Sequence, residues 1–327
     1  MRAFTSHDTA LAYWREHFPL DSEPGKPARI SGVEKCAYKK ADVLECVPET
    51  FRIPDKPVDI LLFDTGDRRL SKQVSCCVWT TTVPKSAFYR VGSMYVSSPE
   101  FTFLQMASKL TLSQLIALGC ELCGSYVLLP QGNSHPSAID DFPTRIAPLT
   151  NVAALRTFVE KANRAHGRAK ALRALNYIVE GSRSPMETMV YLLLCLPPKL
   201  GGYGIPKPDM NAEIPLDEEG QAIAKRGTCY GDLCWPGALL DVEYHGEVHV
   251  GAAQMKSDVG RELGIEHMGW RVITVTSAQV FDAGRFEVVA REVASCLKKR
   301  LYPQVLGATQ ERSALRDELD QWMFNWE

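Results

Sequence analysis

Apolar and polar residues alternate with different periods along the chain, and the period predicts where helices and strands lie. Leu11, Trp14 and Phe18 recur at helical spacing, which predicts a helix over residues 6–18. Branched and aromatic residues then dominate three short runs, which predict strands at residues 58–63, 74–80 and 88–96. Helical patterns return at Pro99, which begins a predicted helix ending near Leu110.

Capping residues indicate where several later helices begin. Thr111 is placed to cap one helix, and Asn151 caps the first of two helices predicted within residues 151–180. Ser184 followed by Pro185 and Glu187 is a capping-box pattern that begins another. The N-terminal part therefore combines strands with helices, and a new helical segment starts near residue 184.

The C-terminal part alternates between helices and strands. After the helix at Ser184, the pattern predicts hairpin strands around residue 233 and at 239–244, a helix at 251–268, a strand at 272–275 and a helix at 286–297. A strand, a crossover helix and a second strand in succession are typical of an α/β sheet. In the helix at 251–268 we expect Met255, Val259 and Leu263 to face inward.

The tail at residues 310–327 predicts one more amphipathic helix. Its apolar stripe consists of Leu315, Leu319, Trp322, Met323 and Trp326. We expect this stripe to dock on the core of the same chain. The alternative is a contact with a second copy or another protein, which would make the tail an interaction module and leaves the oligomeric state open.

Composition narrows the class of protein. The 327 residues are enough for two domains, and the hydrophobic (45%) and charged (23%) fractions are those of an ordinary globular protein. The net charge of −2 gives no overall basic balance, so a surface that binds nucleic acid must be local. We see no signal peptide and no apolar run of the roughly 20 residues that span a membrane. We therefore expect a cytoplasmic protein without membrane contact.

The ten cysteines lie mostly in apolar runs, so we expect reduced thiols in the core. Cys120 and Cys123 have the spacing of a zinc or redox pair, but no second pair at zinc-finger spacing accompanies them. They also fall on a predicted helix, which favours a structural interpretation. A basic cluster in the helices of 151–180 offers a candidate surface for DNA phosphates, with a solvated linker helix as the alternative; it consists of Arg164, Arg168, Lys170 and Arg173.

Two carboxylates lie on the predicted hairpin, Asp232 before and Glu243 after a Trp235-Pro236-Gly237 turn. Antiparallel pairing would bring them together, and one or two carboxylates suffice to bind Mg²⁺. A bound Mg²⁺ activates water and stabilises the charge that develops on a scissile phosphate. His245, two residues beyond Glu243, could orient the water or contact the phosphate.

Simpler interpretations exist for each of these residues. The capping box alone explains Glu187, and Asp232 could be a turn residue. Strand alternation places Asp241, Glu243 and His245 on one face, which would also suit an exposed edge. Asp258 and Arg261 are three residues apart and could pair on a helix surface, while zinc binding by His245 and His249 is disfavoured by their position across a strand end.

The order of several short motifs adds information that no single residue carries. They are Ser184-Pro185-x-Glu187, Asp232 with Trp235-Pro236, Glu243-Tyr244-x-Gly246-x-x-His249, Asp258-x-x-Arg261 and Gly269-Trp270-Arg271-Val272. With these motifs, residues from about 180 to 300 resemble the PD-(D/E)XK nuclease superfamily, in particular its very-short-patch-repair-like branch of uncharacterised bacterial proteins. The resemblance implies a restriction-endonuclease-like fold and hydrolysis of DNA with Mg²⁺ or Mn²⁺.

Specific roles follow from that resemblance. Asp232 and Glu243 become the metal ligands, and Glu187 becomes a carboxylate that approaches from the first helix. His249, Asp258 and Arg261 become supporting residues. The superfamily usually has lysine two residues after the second acid, and this branch often has aspartate, whereas this chain has His245. Because histidine stands where the superfamily usually has lysine, the alternative to an active nuclease is a catalytically inactive DNA-binding regulator or antitoxin that retains the nuclease fold.

A second resemblance covers the N-terminal half. The run at 58–63, Tyr89-Arg90-Val91, Val96-x-Ser98-Pro99-Glu100 and the following helix through Leu104 and Ala107 resemble antitoxin-type proteins of the AbiEi class. Such proteins are associated with type IV toxin–antitoxin or phage-defence loci, which implies a cognate toxin or defence-system partner. They usually begin with a winged helix, and no helix-turn-helix pattern is clear before residue 57.

We therefore predict an α/β protein, α+β overall, whose C-terminal domain is a mixed sheet flanked by helices. The predicted organisation is an antitoxin-like α+β region at 1–150, a helical linker at 151–180, a nuclease-like domain at 181–304 and an amphipathic helix at 305–327.

Overall fold

The computed structural model describes residues 2–28, 39–68, 71–128, 142–246, 252–301 and 309–324, without the side chains of 252–258 and 309. The chain divides into two compact units. The first comprises Met1–Ser134, Pro143–Ile178 and Trp326–Glu327, and the second comprises His135–Phe142 and Val179–Asn325. Each unit contains a mixed sheet and several helices, so the predicted mixture of α and β structure is confirmed.

A five-stranded sheet forms the centre of the first unit. Its strands are β1 (Ala3–Thr5), β2 (Val58–Leu62), β3 (Val74–Val78), β4 (Phe88–Val91) and β5 (Met94–Ser97). Their order is β3-β2-β1-β5-β4, and β1 is antiparallel to β2 but parallel to β5. The predicted strand at 88–96 is a hairpin, because Gly92 adopts a positive φ of 55° and turns the chain. The three-residue β1 was not predicted.

Six α-helices complete the described part of the first unit. They are α1 (His7–Ala12), α2 (Lys40–Cys46), α3 (Pro99–Met106), α4 (Leu112–Leu122), α5 (Val152–Lys161) and α6 (Arg168–Ala174). A π-helical turn, Tyr13–His17, extends α1 over most of the predicted helix at 6–18. Thr111 caps α4 in a capping box with Gln114, and Asn151 accepts a hydrogen bond from the Ala154 N–H at the start of α5.

Residues 151–178 belong to the first unit, although we expected a linker there. Leu155 and Phe158 of α5 are buried, and the Phe158 ring lies 5.5 Å from the ring of Phe101 in α3. Ile178 fills the space above Gly119 of α4, where an added Cβ would meet its Cδ1. The apolar faces of these helices are thus core surfaces.

A four-stranded sheet forms the centre of the second unit. Its strands are β6 (Asp209–Pro215), β7 (Thr228–Trp235), β8 (Leu240–His245) and β9 (Arg271–Thr276), in the order β6-β7-β8-β9. The first three are antiparallel neighbours, and β9 is parallel to β8. The predicted hairpin and the predicted strand at 272–275 are confirmed, whereas β6 was not predicted.

Six α-helices belong to the described part of the second unit. They are α7 (Pro185–Cys195), α8 (Glu218–Ala224), α9 (Ala252–His267), α10 (Ser277–Val280), α11 (Ala283–Cys296) and α12 (Thr309–Met323). The crossover α9 connects β8 to the parallel β9, and Gly269 follows it with a φ of 80°. This succession is the predicted α/β pattern of strand, helix and strand.

The predicted inward stripe of α9 is wrong where it can be checked. Val259 and Leu263 are about half exposed, at 51% and 50%, and Met255 lies outside the described side chains. Close contact with α8 explains the difference, because an added Cβ on Gly264 would lie 2.7 Å from the Cβ of Ala224. The small residues, with the buried Ile265, form the packed side of this helix.

The tail docks within the second unit, as expected. Leu315, Leu319 and Met323 of α12 are buried, and the helix packs against α7 and the turn at Pro198–Leu200. The guanidinium of Arg312 lies 3.9 Å from the centre of the Tyr203 ring. Trp326 of the predicted stripe lies outside the described residues.

The cysteines of the described residues are reduced thiols, as predicted, but only some of them lie in the core. Cys120 and Cys123 are buried at the end of α4, whereas Cys76, Cys77, Cys195 and Cys296 are partly exposed. None of the described helices is both long and apolar enough to cross a membrane.

Candidate functional site

The β7–β8 hairpin places Asp232 and Glu243 side by side. Leu233 pairs with Val242 at the end of the described ladder, so Asp232 and Glu243 each lie one residue beyond that pair. The Oδ2 atom of Asp232 accepts the Tyr244 N–H at 2.9 Å. The first carboxylate is thereby fixed to the strand that carries the second.

Glu187 reaches the same region from the first turn of α7. The Ser184 hydroxyl accepts the Glu187 N–H at 3.0 Å, which is the predicted cap. The reciprocal half of the capping box is not formed, because Glu187 Oε2 accepts the N–H of Arg183 at 2.8 Å and the side-chain amide of Asn211 at 2.5 Å. Capping therefore explains where the helix begins but does not explain the direction of this carboxylate.

Asn211 was missed by the sequence analysis. It lies on β6 with a positive φ of 48°, and its amide nitrogen also donates to the Gly181 carbonyl at 3.0 Å. It thus connects the segment before α7 to the carboxylate of Glu187. Asparagine adopts the left-handed conformation more readily than most residues, but a single asparagine is a weak sequence signal, and β6 itself was not predicted.

The three carboxylates influence one another electrostatically. Burial raises the pKa of Asp232 well above its ordinary value, and the charges of Glu243 and Glu187 raise it further. Burial likewise raises the pKa of Glu187, against the opposing effect of its hydrogen bonds. Mutual repulsion of this kind is relieved by a proton or by a cation. Helix α7 and strands β7 and β8 therefore place three acids in one partly desolvated site.

Arg261 of α9 is the cation that the structure places there. Its guanidinium donates to both carboxylate oxygens of Glu243, at 2.7 and 2.8 Å, and to the Tyr230 carbonyl at 2.8 Å. Burial would raise the pKa of Glu243, but the hydrogen bonds and charge of Arg261, together with the neighbouring Asp241 and His245, outweigh it and hold that pKa below its ordinary value. Glu243 is therefore ionised and paired with the residue that we expected to support it.

Asp241, which strand alternation places on the same face as Glu243, was not among the predicted site residues. It is fully buried, its Oδ1 lies 3.5 Å from the Cys234 sulfur, and its Oδ2 has no hydrogen-bond partner among the described residues. Burial, together with the adjacent Glu243, raises its pKa to about 10. Asp241 is therefore a protonated acid at neutral pH.

Gly231 makes room for this acid, because an added Cβ there would lie 2.5 Å from the Asp241 carboxyl group. The alternation of Asp241, Glu243 and His245 along β8 was the signal for this residue. The matched motif pattern selects Asp232 and Glu243 and leaves Asp241 out.

The other predicted site residues are placed less centrally. His245 is exposed at the end of β8, and its charge contributes to the low pKa of Glu243. His249 lies outside the described residues. Asp258 lies in α9, but its side chain is also outside the described part, so its pairing with Arg261 stays a prediction.

The basic cluster belongs to the first unit and is partly engaged in helix contacts. Arg168 donates to the Val159 carbonyl at 3.1 Å, and Lys170 donates to the Leu110 carbonyl at 2.7 Å. Arg164 and Arg173 are exposed. Two of the four side chains therefore bind backbone carbonyls, and contact of this cluster with DNA stays a prediction.

The donor set suits a hard cation in chemistry but is not arranged for one as it stands. All three acids offer oxygen atoms, which Mg²⁺ prefers. Among the described side chains, however, no group of three or more histidine, cysteine, aspartate or glutamate residues is arranged to hold a metal. Arg261 occupies both oxygens of Glu243, whereas the hydrogen bond of Asp232 involves only Oδ2. Glu187 and Asp232 are thus the acids that could accept an ion first.

Comparison of the chain with protein-family models, curated proteins and solved structures gives no match. The resemblance to the nuclease superfamily and to AbiEi-type antitoxins therefore rests on the residues of this chain alone.

Proposed function

We propose that the second unit is a restriction-endonuclease-like domain that hydrolyses DNA phosphodiester bonds with Mg²⁺. The observation that supports this most is the convergence of Glu187, Asp232 and Glu243, where burial and then the charges of Glu243 and Glu187 raise the pKa of Asp232. Burying three acids together is unfavourable for folding, so a role that uses their combined charge accounts for it. The hairpin, the crossover α9 and the parallel β9 are consistent with the same fold proposal.

Each residue of the site has a separate role in this proposal. Glu187 and Asp232 would hold Mg²⁺, joined by Glu243 once Arg261 releases it; the ion would supply an activated water and neutralise charge on the phosphate. The Tyr244 N–H keeps Asp232 oriented. Arg261 compensates the charge of Glu243 when no ion does so. His245, exposed at the end of β8, would contact the scissile phosphate.

Plasmid cleavage by the purified protein tests this proposal. We expect Mg²⁺-dependent nicking or linearisation that Asp232→Asn and Glu243→Gln each reduce by more than the roughly 10–100-fold typical of losing an outer-shell partner. Asp209→Asn, an exposed acid on neighbouring β6, is the matched control and should cleave like the wild type. Activity that survives both substitutions would show that the site is elsewhere.

The bidentate Arg261–Glu243 pair favours a second candidate, a DNA-binding regulator or antitoxin without catalysis. In that case Arg261 permanently neutralises Glu243 in place of a metal ion, and the domain binds DNA without cleaving it. This candidate predicts DNA affinity that falls steeply with salt and no cleavage with Mg²⁺ or Mn²⁺. The plasmid assay together with a salt titration of binding separates the two candidates.

A further inference from the structure

An exposed aromatic ring lies beside the carboxylate site. Tyr230 of β7 is 44% exposed, and the guanidinium carbon of Arg183 lies 5.1 Å from the centre of its ring. A guanidinium at this distance covers one face of an aromatic ring. The remaining exposure leaves ring surface available to a ligand.

Arg183 is held in place by the same contacts that orient Glu187. Its backbone N–H donates to Glu187 Oε2, and the neighbouring Ser182 hydroxyl donates to the Ser184 carbonyl at 3.0 Å. The Gly181 carbonyl accepts the Asn211 amide, and Gly181 itself has a φ of 84°. An added Cβ on Gly181 would lie 3.3 Å from the Met210 carbonyl oxygen. The segment that carries Arg183 is therefore connected to β6 and to the site.

Tyr230 is connected to the site as well. It precedes Asp232 by two residues on β7, which corresponds to roughly 6.6 Å along a strand. Its carbonyl accepts a hydrogen bond from Arg261, the residue that binds Glu243. A base stacked on this ring would therefore lie close to a phosphate bound at the carboxylates.

We propose that Tyr230 and Arg183 form a stacking platform for an unpaired base next to the scissile phosphate, so that the substrate is DNA with single-stranded character. This inference rests on the proposed function. Aromatic rings take any base by its π face, but a base within a duplex is already stacked on both sides. The positive charge of Arg183 would also attract the backbone of the bound strand.

Binding assays in an Asp232→Asn background test the platform without cleavage. Fluorescence anisotropy would compare a single-stranded oligonucleotide of about 20 nucleotides with its duplex at one salt concentration and without metal. We expect Tyr230→Ala to weaken single-strand binding by roughly 5- to 150-fold, the range for one stacked base. Duplex binding should change less than about twofold, and Tyr230→Phe should bind like the parent.

Matched controls separate stacking from folding and from charge. Tyr230→Leu keeps an apolar side chain without a π face and should match the alanine variant even if alanine disturbs β7. Arg183→Ala should weaken single-strand binding more than Arg291→Ala, which removes an exposed charge from α11. Equal single-strand affinities of the Tyr230→Leu variant and the parent would overturn the proposal, as would equal losses for both DNA forms.

Failure of the platform and failure of the nuclease proposal give different results. One result is single-strand binding that depends on Tyr230 but no Mg²⁺-dependent cleavage by the protein that retains Asp232. This result supports the platform and contradicts catalysis. Cleavage of single-stranded and duplex DNA that is unchanged by Tyr230→Leu supports catalysis and contradicts the platform.

Discussion

Asp241 shows how strongly one buried position can change the chemistry of a side chain. Its sequence neighbours do not distinguish it from Glu243, since both are acids on the same strand face. Arg261 keeps Glu243 ionised through its hydrogen bonds, whereas Asp241 lies against Cys234 and keeps its proton. Sequence could indicate the shared face of these acids. It could not indicate which one receives the guanidinium, because that depends on the packing of α9.

A pH dependence of stability follows from Asp241. Its pKa in the folded protein, about 10, lies above the ordinary 3.8 of an unfolded chain. Between these values the folded state holds a proton that the unfolded state has released, so the free energy of unfolding falls as pH rises. Asp241→Asn, which mimics the protonated acid, should gain stability over the wild type by on the order of 1 kcal/mol per pH unit between pH 5 and 9.

Urea denaturation at several pH values measures this difference. The exposed Asp209→Asn is the control, and its stability difference from the wild type should stay constant with pH. A constant difference for Asp241→Asn as well would mean that Asp241 is ionised in the folded protein.

At the scale of elements, capped and strongly periodic segments were predictable. The starts of α4, α5 and α7 follow from Thr111, Asn151 and Ser184, whose side chains accept the expected backbone N–H groups. The unpredicted strands have weak local signals. Strand β1 has only three residues, and β6 contains Asp209, Asn211 and Glu213, so their pairing depends on partners distant in sequence.

The contact between α8 and α9 gives a prediction at this scale. Gly264→Ala should destabilise the second unit by about 1–3 kcal/mol, because the new Cβ would lie 2.7 Å from the Cβ of Ala224 and 3.1 Å from the Gly220 carbonyl oxygen. Gly260→Ala is the matched control on the same helix. Its Cβ would meet only the Ile223 carbonyl at 3.4 Å, so better helix propensity should make it neutral or stabilising by up to about 1 kcal/mol. Circular dichroism during urea denaturation compares the two, and equal effects would show that α8 does not constrain α9.

At the scale of the whole molecule, two units were expected, and the division at Ile178–Val179 lies close to the predicted start of the second domain at 181. The tail follows the sequence expectation because an apolar stripe of that width has to be covered. The helices at 151–178 belong to a unit and not to the expected linker. Their sequence pattern could not decide this, because an apolar helix face suits a linker helix as well as a domain core. Only the packing of Phe158 and Ile178 distinguishes these alternatives.

Because α12 packs against the second unit, a substitution that weakens this packing should destabilise the parts of the unit that contact it. Leu319→Ala removes a fully buried side chain and should cost about 2–5 kcal/mol. Hydrogen exchange should then accelerate in peptides from α7 and α12, which are in contact. Val288→Ala, at a position of α11 that is 64% exposed, should leave exchange unchanged. Unchanged exchange for Leu319→Ala would favour a tail whose partner is another chain.

The hydrogen bond from the Tyr244 amide to Asp232 has a practical consequence for spectroscopy. The chemical shift of one backbone ¹H–¹⁵N pair reports directly on the charge of the neighbouring carboxylate. That single resonance can therefore follow proton release from Asp232 during a pH titration, or arrival of a cation during a magnesium titration, without a bulky reporter group near the site.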